Sequence, residues 1–469
     1  MNASQALLDH IDKLAKTKYP AEVIDQVRYC LIDYVGCVYA GSARSVYREA
    51  AQGLPEGSAR LLGLGKTANP LQACLFNGIF SHGEELDDGH RRAMMHLGAP
   101  IFSALLAAWD EAEVGGRLDE QRFIAAAVCG YQAAIILGQT LQPHHKLQGF
   151  HGTGTCGTIG AALAIGVLRG YTEKQMQVTL ALAATSGAGL LGVLDDGSQM
   201  KPYNVGRAAM DAYAAAQLGA AAPVPPDDIL GGKRGFLRVF SGDAQGRAQE
   251  TAHAQGSAGV VEPAGVQEPR LLLPSEEEYL IQGVFRKPYA ACRHCHAAID
   301  AARAIAKEPR FNAGSVNSIS IRTYDLGVFG HDCQQPANGS AAKMSTPFCV
   351  AAALLGYPLL PSTFTDERCA DEKLVRLAQM VAVVPDVLVT SWLPDRRGCI
   401  MRVEQADGAV FEQTVEYAKG EPENPLTADE LEQKFLTLCA SSTLPEKAAQ
   451  SFLDAIKAGS VAAALSLLR

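Results

Sequence analysis

Residues 121–141 read QRFIAAAVCGYQAAIILGQTL, and the fold turns on whether this run crosses a membrane or fills a core. A bilayer span needs about 20 predominantly apolar residues. Here the stretch from Phe123 to Leu141 is Ala-rich and is interrupted by Gly130, Gln132, Gly138 and Gln139, which favours a buried helix. Comparable small-residue stretches follow one another at 99–112, 157–170, 175–193 and 205–221. Side chains this small let helix axes approach closely, so the pattern predicts a compact all-α domain rather than helices around a sheet. Upstream, Leu7, Leu8, Ile11 and Leu14 fall at helical spacing. A second helix is expected after Pro20, with Val23, Ile24, Val27, Cys30 and Leu31 on one face and a stop near Gly36.

Downstream the pattern changes. Residues 243–275 are poor in large apolar groups and rich in Gly, Ala, Gln, Glu and Pro, which marks a loop or domain boundary. Ile319, Ile321 and Thr323 alternate as in a strand, Val387 to Trp392 reads as another, and Ile400 to Tyr417 as two strands around Asp407-Gly408, a strong hairpin turn. Helices expected at 294–307, 345–355 and 366–380 make this a smaller α+β domain. From Thr427 the chain turns helical again, with Thr427 and Glu430 spaced as a capping box. These last helices are expected to pack back on the first domain.

The 469 residues are 48% hydrophobic and 19% charged, enough for a large core in two to four domains. Lys and Arg number 41 against 50 Asp and Glu, net −9, without a basic tract. That excludes a nucleic-acid binder, which needs clustered cations, while a local cluster can still take a small anionic substrate. Twelve scattered cysteines behind an N-terminus with no continuous apolar segment point to reduced thiols in a cytoplasmic setting.

Three motifs carry chemistry. Residues 82–100, HGEELDDGHRRAMMHLGAP, hold His82, His90 and His96 with four acids and two arginines, a density suited to paired acid and base groups. GTGTCG at 152–157 matches a dinucleotide fingerprint in letters, but no apolar strand precedes it, so its glycines are assigned to a tight helix entry beside His151. Cys292, His294, Cys295 and His296, with His331 and Cys333 further on, offer zinc-ligand types, but one compact CRHCH run is too crowded to wrap a tetrahedral ion, and no metal is expected. Lys201 and Lys287 stand at a helix junction and at the start of the second domain, candidate cations for a carboxylate.

On these residues the chain resembles the MmgE/PrpD family, which includes 2-methylcitrate dehydratase, cis-aconitate decarboxylase and iminodisuccinate epimerase. HGEELDDGH with MMHLGAP is similar to the family's H-x-x-D-F-D-D-T-H and H-P-G-A, GFHGTGTCGTIGAALA to its G-F-H-x-T-G-T-x-G, and DGSQMKPYNVGRAA to its D-G-S-M-x-K-x-x-x-x-G-x-A-A. LGGKRGFLRVF, KPYAACRHCHAAIDA and KGEPENPLTADELEQKF continue the likeness in order. Glu85 departs from the usual Asp, Gly89 from the usual Thr, and Cys292 from the histidine of animal members.

The resemblance implies a mainly α protein: an all-α helical domain, residues 1–282 and 425–469, with an α+β lid, 283–424, forming cytoplasmic homodimers without metal or organic cofactor. It implies a lyase that dehydrates or decarboxylates a small di- or tricarboxylate. The alternative is an epimerase of an α-substituted succinate, motivated by the missing Thr hydroxyl at Gly89. His96 is then the expected acid or base, His151 a second proton-transfer group, and Glu85 or Asp88 the group that orients an imidazole. Lys201, Lys287 and His90 are the expected substrate contacts.

Overall fold

The computed structural model describes residues 2–116, 119–241 and 270–468, so most of the expected boundary at 243–275 lies outside the described residues. The protein is mainly α. Its principal helices are α1 (Ala3–Ala15), α2 (Ala21–Arg44), α3 (Pro70–His82), α4 (Gly98–Val114), α5 (Glu120–Leu141), α6 (Gly152–Arg169), α7 (Glu173–Ser186), α8 (Lys201–Gly219), α9 (His296–Ile305), α10 (Thr346–Leu354), α11 (Ala428–Ala440) and α12 (Glu446–Lys457).

The apolar run that opened the question is α5, a helix long enough to cross a membrane but buried inside the protein. Asp119 starts it by accepting from the Arg122 N–H. It lies against α6 with backbones nearly touching: a Cβ on Gly160 would sit 2.5 Å from the Gly130 carbonyl, so glycine is required there. Phe102, Trp109, Phe123 and Tyr131 fill the remaining space, with Trp109 edge-on to Phe123 at 5.2 Å. Each such side chain contributes roughly 1.5–3 kcal/mol by leaving water.

One expectation fails at Gly36. Helix α2 runs through it to Arg44, and the missing Cβ makes room for Phe435 and Leu438 of α11, which a Cβ would meet at 3.3 and 3.4 Å. The glycine is a contact point for the returning C-terminal helix rather than a stop. Lys434 of α11 completes that junction, donating to Asp33 at 2.5 Å and to the Leu86 carbonyl at 2.8 Å. Thr427 and Glu430 form both halves of the capping box at the start of α11.

The second unit carries strands β1 (Val316–Thr323), β2 (Val381–Pro385), β3 (Cys399–Gln405) and β4 (Val410–Val415) in the order β2-β1-β3-β4. β1 and β2 are parallel, and the remaining neighbours antiparallel. Ile319, Ile321, Met401 and Val403 are buried together with residues of α9 and α10. The strand expected at 387–392 is instead a helical turn, Val387–Thr390, capped by Asp386. The true strand lies just before it, where β2 pairs with β1. The helix expected at 366–380 is broken at Ala370 into two pieces.

Apolar side chains gather in two clusters. One spans α1–α8 and returns at Leu431–Leu468; the other spans Tyr289–Ala418 and borrows Cys37, Ala40, Leu86 and Leu438 at the border. The loop after α3, beginning at residue 83, runs along that border.

Candidate active site

Helix α3 ends at His82, and the chain turns back so that β-bridge pairing of His90 with Met95 delivers His96 beside it. The two rings lie 4.4 Å apart, centre to centre, and His151, the residue before α6, lies 5.9 Å from His82. Asp87 joins the first two. Its carboxylate accepts from His82 Nδ1 at 2.9 Å and lies 3.2 Å from His96 Nδ1. The Asp88 carbonyl takes the same His96 nitrogen at 2.9 Å. Both of those partners only accept, so His96 carries its proton on Nδ1 and presents the Nε2 lone pair. Burial, opposed by Asp87 and helped by Lys287 and His82, holds His96 down to about 4. The ring is therefore neutral at neutral pH.

Glu85 is the second centre. Its φ is +52°, a left-handed conformation that is uncommon for a side-chain-bearing residue and is found where surrounding contacts enforce it. Lys287, fully buried, donates to its carbonyl at 2.8 Å and to its carboxylate at 3.1 Å. Lys201, the first residue of α8, donates to the other carboxylate oxygen. Burial alone would raise the Glu85 carboxyl, but the two ammonium groups outweigh it and keep it well below the usual carboxylate range. Lys201 begins α8, whose apolar residues belong to the first cluster, and Lys287 stands just before Tyr289, where the second resumes, so Glu85 lies at the border of the two. Glu84 repeats the device, pairing with Arg44 at 3.3 Å and Lys343 at 2.7 Å.

His82, Glu84, Glu85 and Lys201 open onto a cleft of about 920 Å³. Two ring nitrogens in this cluster, His82 Nε2 and His151 Nδ1, are buried without a hydrogen bond. Glu85 Oε1 is 3.5 Å from His82 Nε2 but not in hydrogen-bonding geometry.

Four of the residues singled out from the sequence therefore converge with His96: His151, Glu85, Lys201 and Lys287. Two expected residues have other work. The Asp88 side chain faces away from the imidazoles, accepting from the N–H groups of Leu97 and Gly98 and from the Tyr131 hydroxyl, at 3.2, 2.8 and 2.6 Å. It anchors the start of α4, and burial raises it to about 6. His90 closes its own turn, its Nδ1 accepting from the Ala93 N–H at 3.1 Å, and burial with nearby arginines lowers it to about 3. The orienting acid is Asp87, which sequence spacing does not separate from its neighbour. Gly89 is a packing requirement, since a Cβ would lie 2.6 Å from the Phe285 ring.

The CRHCH run disperses. Cys292 Sγ faces His331 Nε2 at 3.8 Å, and His331 Nδ1 donates to the Met344 carbonyl at 2.8 Å. Burial pushes the Cys292 thiol up, but the His331 charge overrides it and leaves the thiol below its ordinary value. Cys295 accepts from Thr346, and His296 is held between Arg293 and the Ala291 carbonyl. His294 bonds the Tyr324 hydroxyl through Nδ1 at 2.7 Å and Lys146 Nζ through Nε2 at 2.9 Å. Donor atoms of Cys292, His294 and His331 lie within 4.8 Å of one another, as do those of His82, Asp87 and His96. In the first set the Lys146 ammonium already occupies the His294 lone pair. In the second, ring N–H groups already fill the Asp87 carboxylate. The first set would have to displace the Lys146 ammonium to take a metal, and in the second the Nδ1 protons of His82 and His96 already point at Asp87.

Comparison with known proteins now adds to this geometry. The family models for the MmgE/PrpD N-terminal and C-terminal domains match residues 5–261 and 289–458. A cis-aconitate decarboxylase-like protein, oryM, from Aspergillus oryzae is 24% identical over 94% of this chain and 91% of its own length. The cis-aconitate decarboxylase of Aspergillus terreus is also 24% identical, over 92% of this chain and 88% of its own. With a buried histidine–carboxylate–lysine cluster at the border of two matched domains, the chain belongs to the MmgE/PrpD family.

Proposed function

We propose that the protein is a lyase that acts on a small di- or tricarboxylate by proton transfer at a carbon next to a carboxylate, with decarboxylation or dehydration as the outcome. The family and the decarboxylase names of its relatives support a lyase-type enzyme. The observation that carries the finer reading is the convergence of three imidazoles and two ammonium groups around one pair of carboxylates, with two ring nitrogens unpaired.

The hydrogen next to a carboxylate is only weakly acidic, and the enediolate left by its loss, or by loss of CO2, needs positive charge at once. Lys201 and Lys287 supply that charge. His96 Nε2, with Nδ1–H held by Asp87 and the Asp88 carbonyl, moves the proton. Before substrate arrives the ring is a neutral base. An anionic substrate brings negative charge that raises its basicity, so the ring keeps the proton it removes in dehydration, or takes one from water and gives it to the carbanion left by CO2. In dehydration a second group must protonate the departing hydroxyl, and we assign this to His151, whose Nδ1 is buried without a hydrogen-bond partner.

The test is turnover of cis-aconitate, 2-methylcitrate and iminodisuccinate in deuterium oxide, followed by NMR and mass. Loss of CO2 with deuterium delivered to the carbanion it leaves, or loss of water without deuterium gained at carbon, supports the lyase. Exchange without loss of mass indicates an epimerase instead, and no reaction and no exchange with any of the three overturns the proposal.

A further inference from the structure

Within the first cluster the two ammonium groups already have a carboxylate partner. Lys201 and Lys287 share Glu85, so the two lysines expected to meet a substrate carboxylate hold an internal one. The unbalanced cations lie next door. Lys146 sits on a single turn, His144–Leu147, between α5 and α6. Its ammonium donates to a neutral imidazole, His294 Nε2, at 2.9 Å. Arg397, just before β3, donates to the Arg91 carbonyl. Among the described residues neither cation forms an ion pair with a carboxylate. Arg397 acts electrostatically on Lys146, His294 and Tyr324, which places the four groups in one neighbourhood. The adjoining Cys292–His331 pair, Sγ to Nε2 at 3.8 Å, adds no net charge whether the proton between them sits on sulfur or on nitrogen. Glu421, the acid that acts on Arg397, is already held by Arg293 at 2.8 Å and Arg91 at 2.9 Å.

Two partly buried cations without a paired carboxylate cost free energy unless something supplies the charge. Resting on the carboxylate-lyase reading, we propose that Lys146 and Arg397, with His294 and Tyr324, form a second anion subsite that takes the carboxylate of a tricarboxylate substrate most remote from the reacting carbon. His294 is arranged for this. Lys146 donates to its Nε2, so Nδ1 carries the ring proton toward Tyr324, leaving the phenol hydroxyl free to donate to an incoming oxygen. The subsite borders the first cluster, because Cys292, whose sulfur lies within 4.8 Å of the His294 donor atom, gives its N–H to the Lys343 carbonyl, and Lys343 pairs with Glu84 beside Glu85. Lys146 belongs to the all-α side, and His294, Tyr324 and Arg397 to the α+β side, so a bound tricarboxylate bridges the two units.

Calorimetric titration of the full chain with propane-1,2,3-tricarboxylate and with succinate tests this. Lys146→Met and Arg397→Met are each expected to weaken the tricarboxylate about tenfold to a hundredfold, the usual worth of a charge-assisted hydrogen bond. Succinate affinity should change less than threefold, and Lys146→Arg should restore most of the loss. Lys146→Gln serves as the second neutral variant if the Met form does not fold. Unchanged tricarboxylate affinity in the neutral variants, or equal losses for both probes, overturns the remote subsite while leaving the lyase reading in place. A wild-type protein that binds neither probe removes the carboxylate reading and the subsite with it.

Discussion

Two histidine-rich segments of this chain, 82–96 and 292–296, look alike in sequence and behave oppositely in the fold. The first leaves a helix, reverses, and pairs His90 with Met95, so that His82 and His96 end ring to ring over one aspartate. The second enters a helix through a short 3-10 turn, Arg293–Cys295, which sends successive side chains in different directions. Cys292 goes to His331, His294 to Lys146 and Tyr324, Cys295 to Thr346, and His296 to Arg293. A reversing loop concentrates its ionisable groups. A helical turn distributes them, and the same residue types then serve several neighbours.

The contrast is sharpest at Glu85, where the first segment binds cations from both units. Glu85→Gln leaves two buried ammonium groups without a counter-charge and is expected to cost about 3–5 kcal/mol of stability, read by denaturant unfolding. A loss under 1 kcal/mol would mean that Glu85 does not tie the two units. Because both lysines share that one partner, Lys201→Met and Lys287→Met should be non-additive in a double-mutant cycle.

If the reversing loop builds the chemistry, His96→Gln should lower turnover at least about a hundredfold with its melting temperature held. Near-normal turnover would remove His96 from the mechanism. The neighbouring acids should separate cleanly. Asp87→Asn is expected to reduce turnover by about tenfold or more with modest loss of stability, since it orients two rings. Asp88→Ala strands three donors and should cost about 2–3 kcal/mol, visible in unfolding. The reverse pattern would exchange their roles.

Acid pH probes the buried histidines. His90, His96 and His145 are pushed by burial to about 3, 4 and 4, below the unfolded value of about 6.5. Between these values the unfolded chain takes up protons that the folded chain refuses, so stability is lost as pH falls from 6.5 toward 4. Asp88, raised to about 6, works the other way between 3.8 and 6, but three histidines outweigh it. His145→Gln should flatten the decline by about 1–2 kcal/mol at pH 5. The smallest effect belongs to the dispersed run, where His296→Gln should leave turnover within about twofold, and a larger loss would bring that histidine into the site.

Residue spacing alone made much of this protein legible. Small-residue helices in succession, a change to alternating strands, and a capping box at Thr427 are local properties, set by side-chain size and backbone preference within a few residues. His96, His151, Glu85, Lys201 and Lys287, singled out through the family resemblance, lie close together in the fold. What the spacing left open was direction. Asp87 and Asp88 are adjacent and chemically alike, and only the path of the loop turns one toward the imidazoles and the other toward the start of α4. Gly36 reads as a stop until α11 arrives to pack on it, and 387–392 reads as a strand until β1 chooses the segment before it. Lys146 and Arg397 are 251 positions apart, from Lys146 to Arg397 in the chain, and no local pattern links them. Their electrostatic neighbourhood exists because the all-α and α+β units close on one another, and contacts between distant segments are set by packing that no short window of sequence contains.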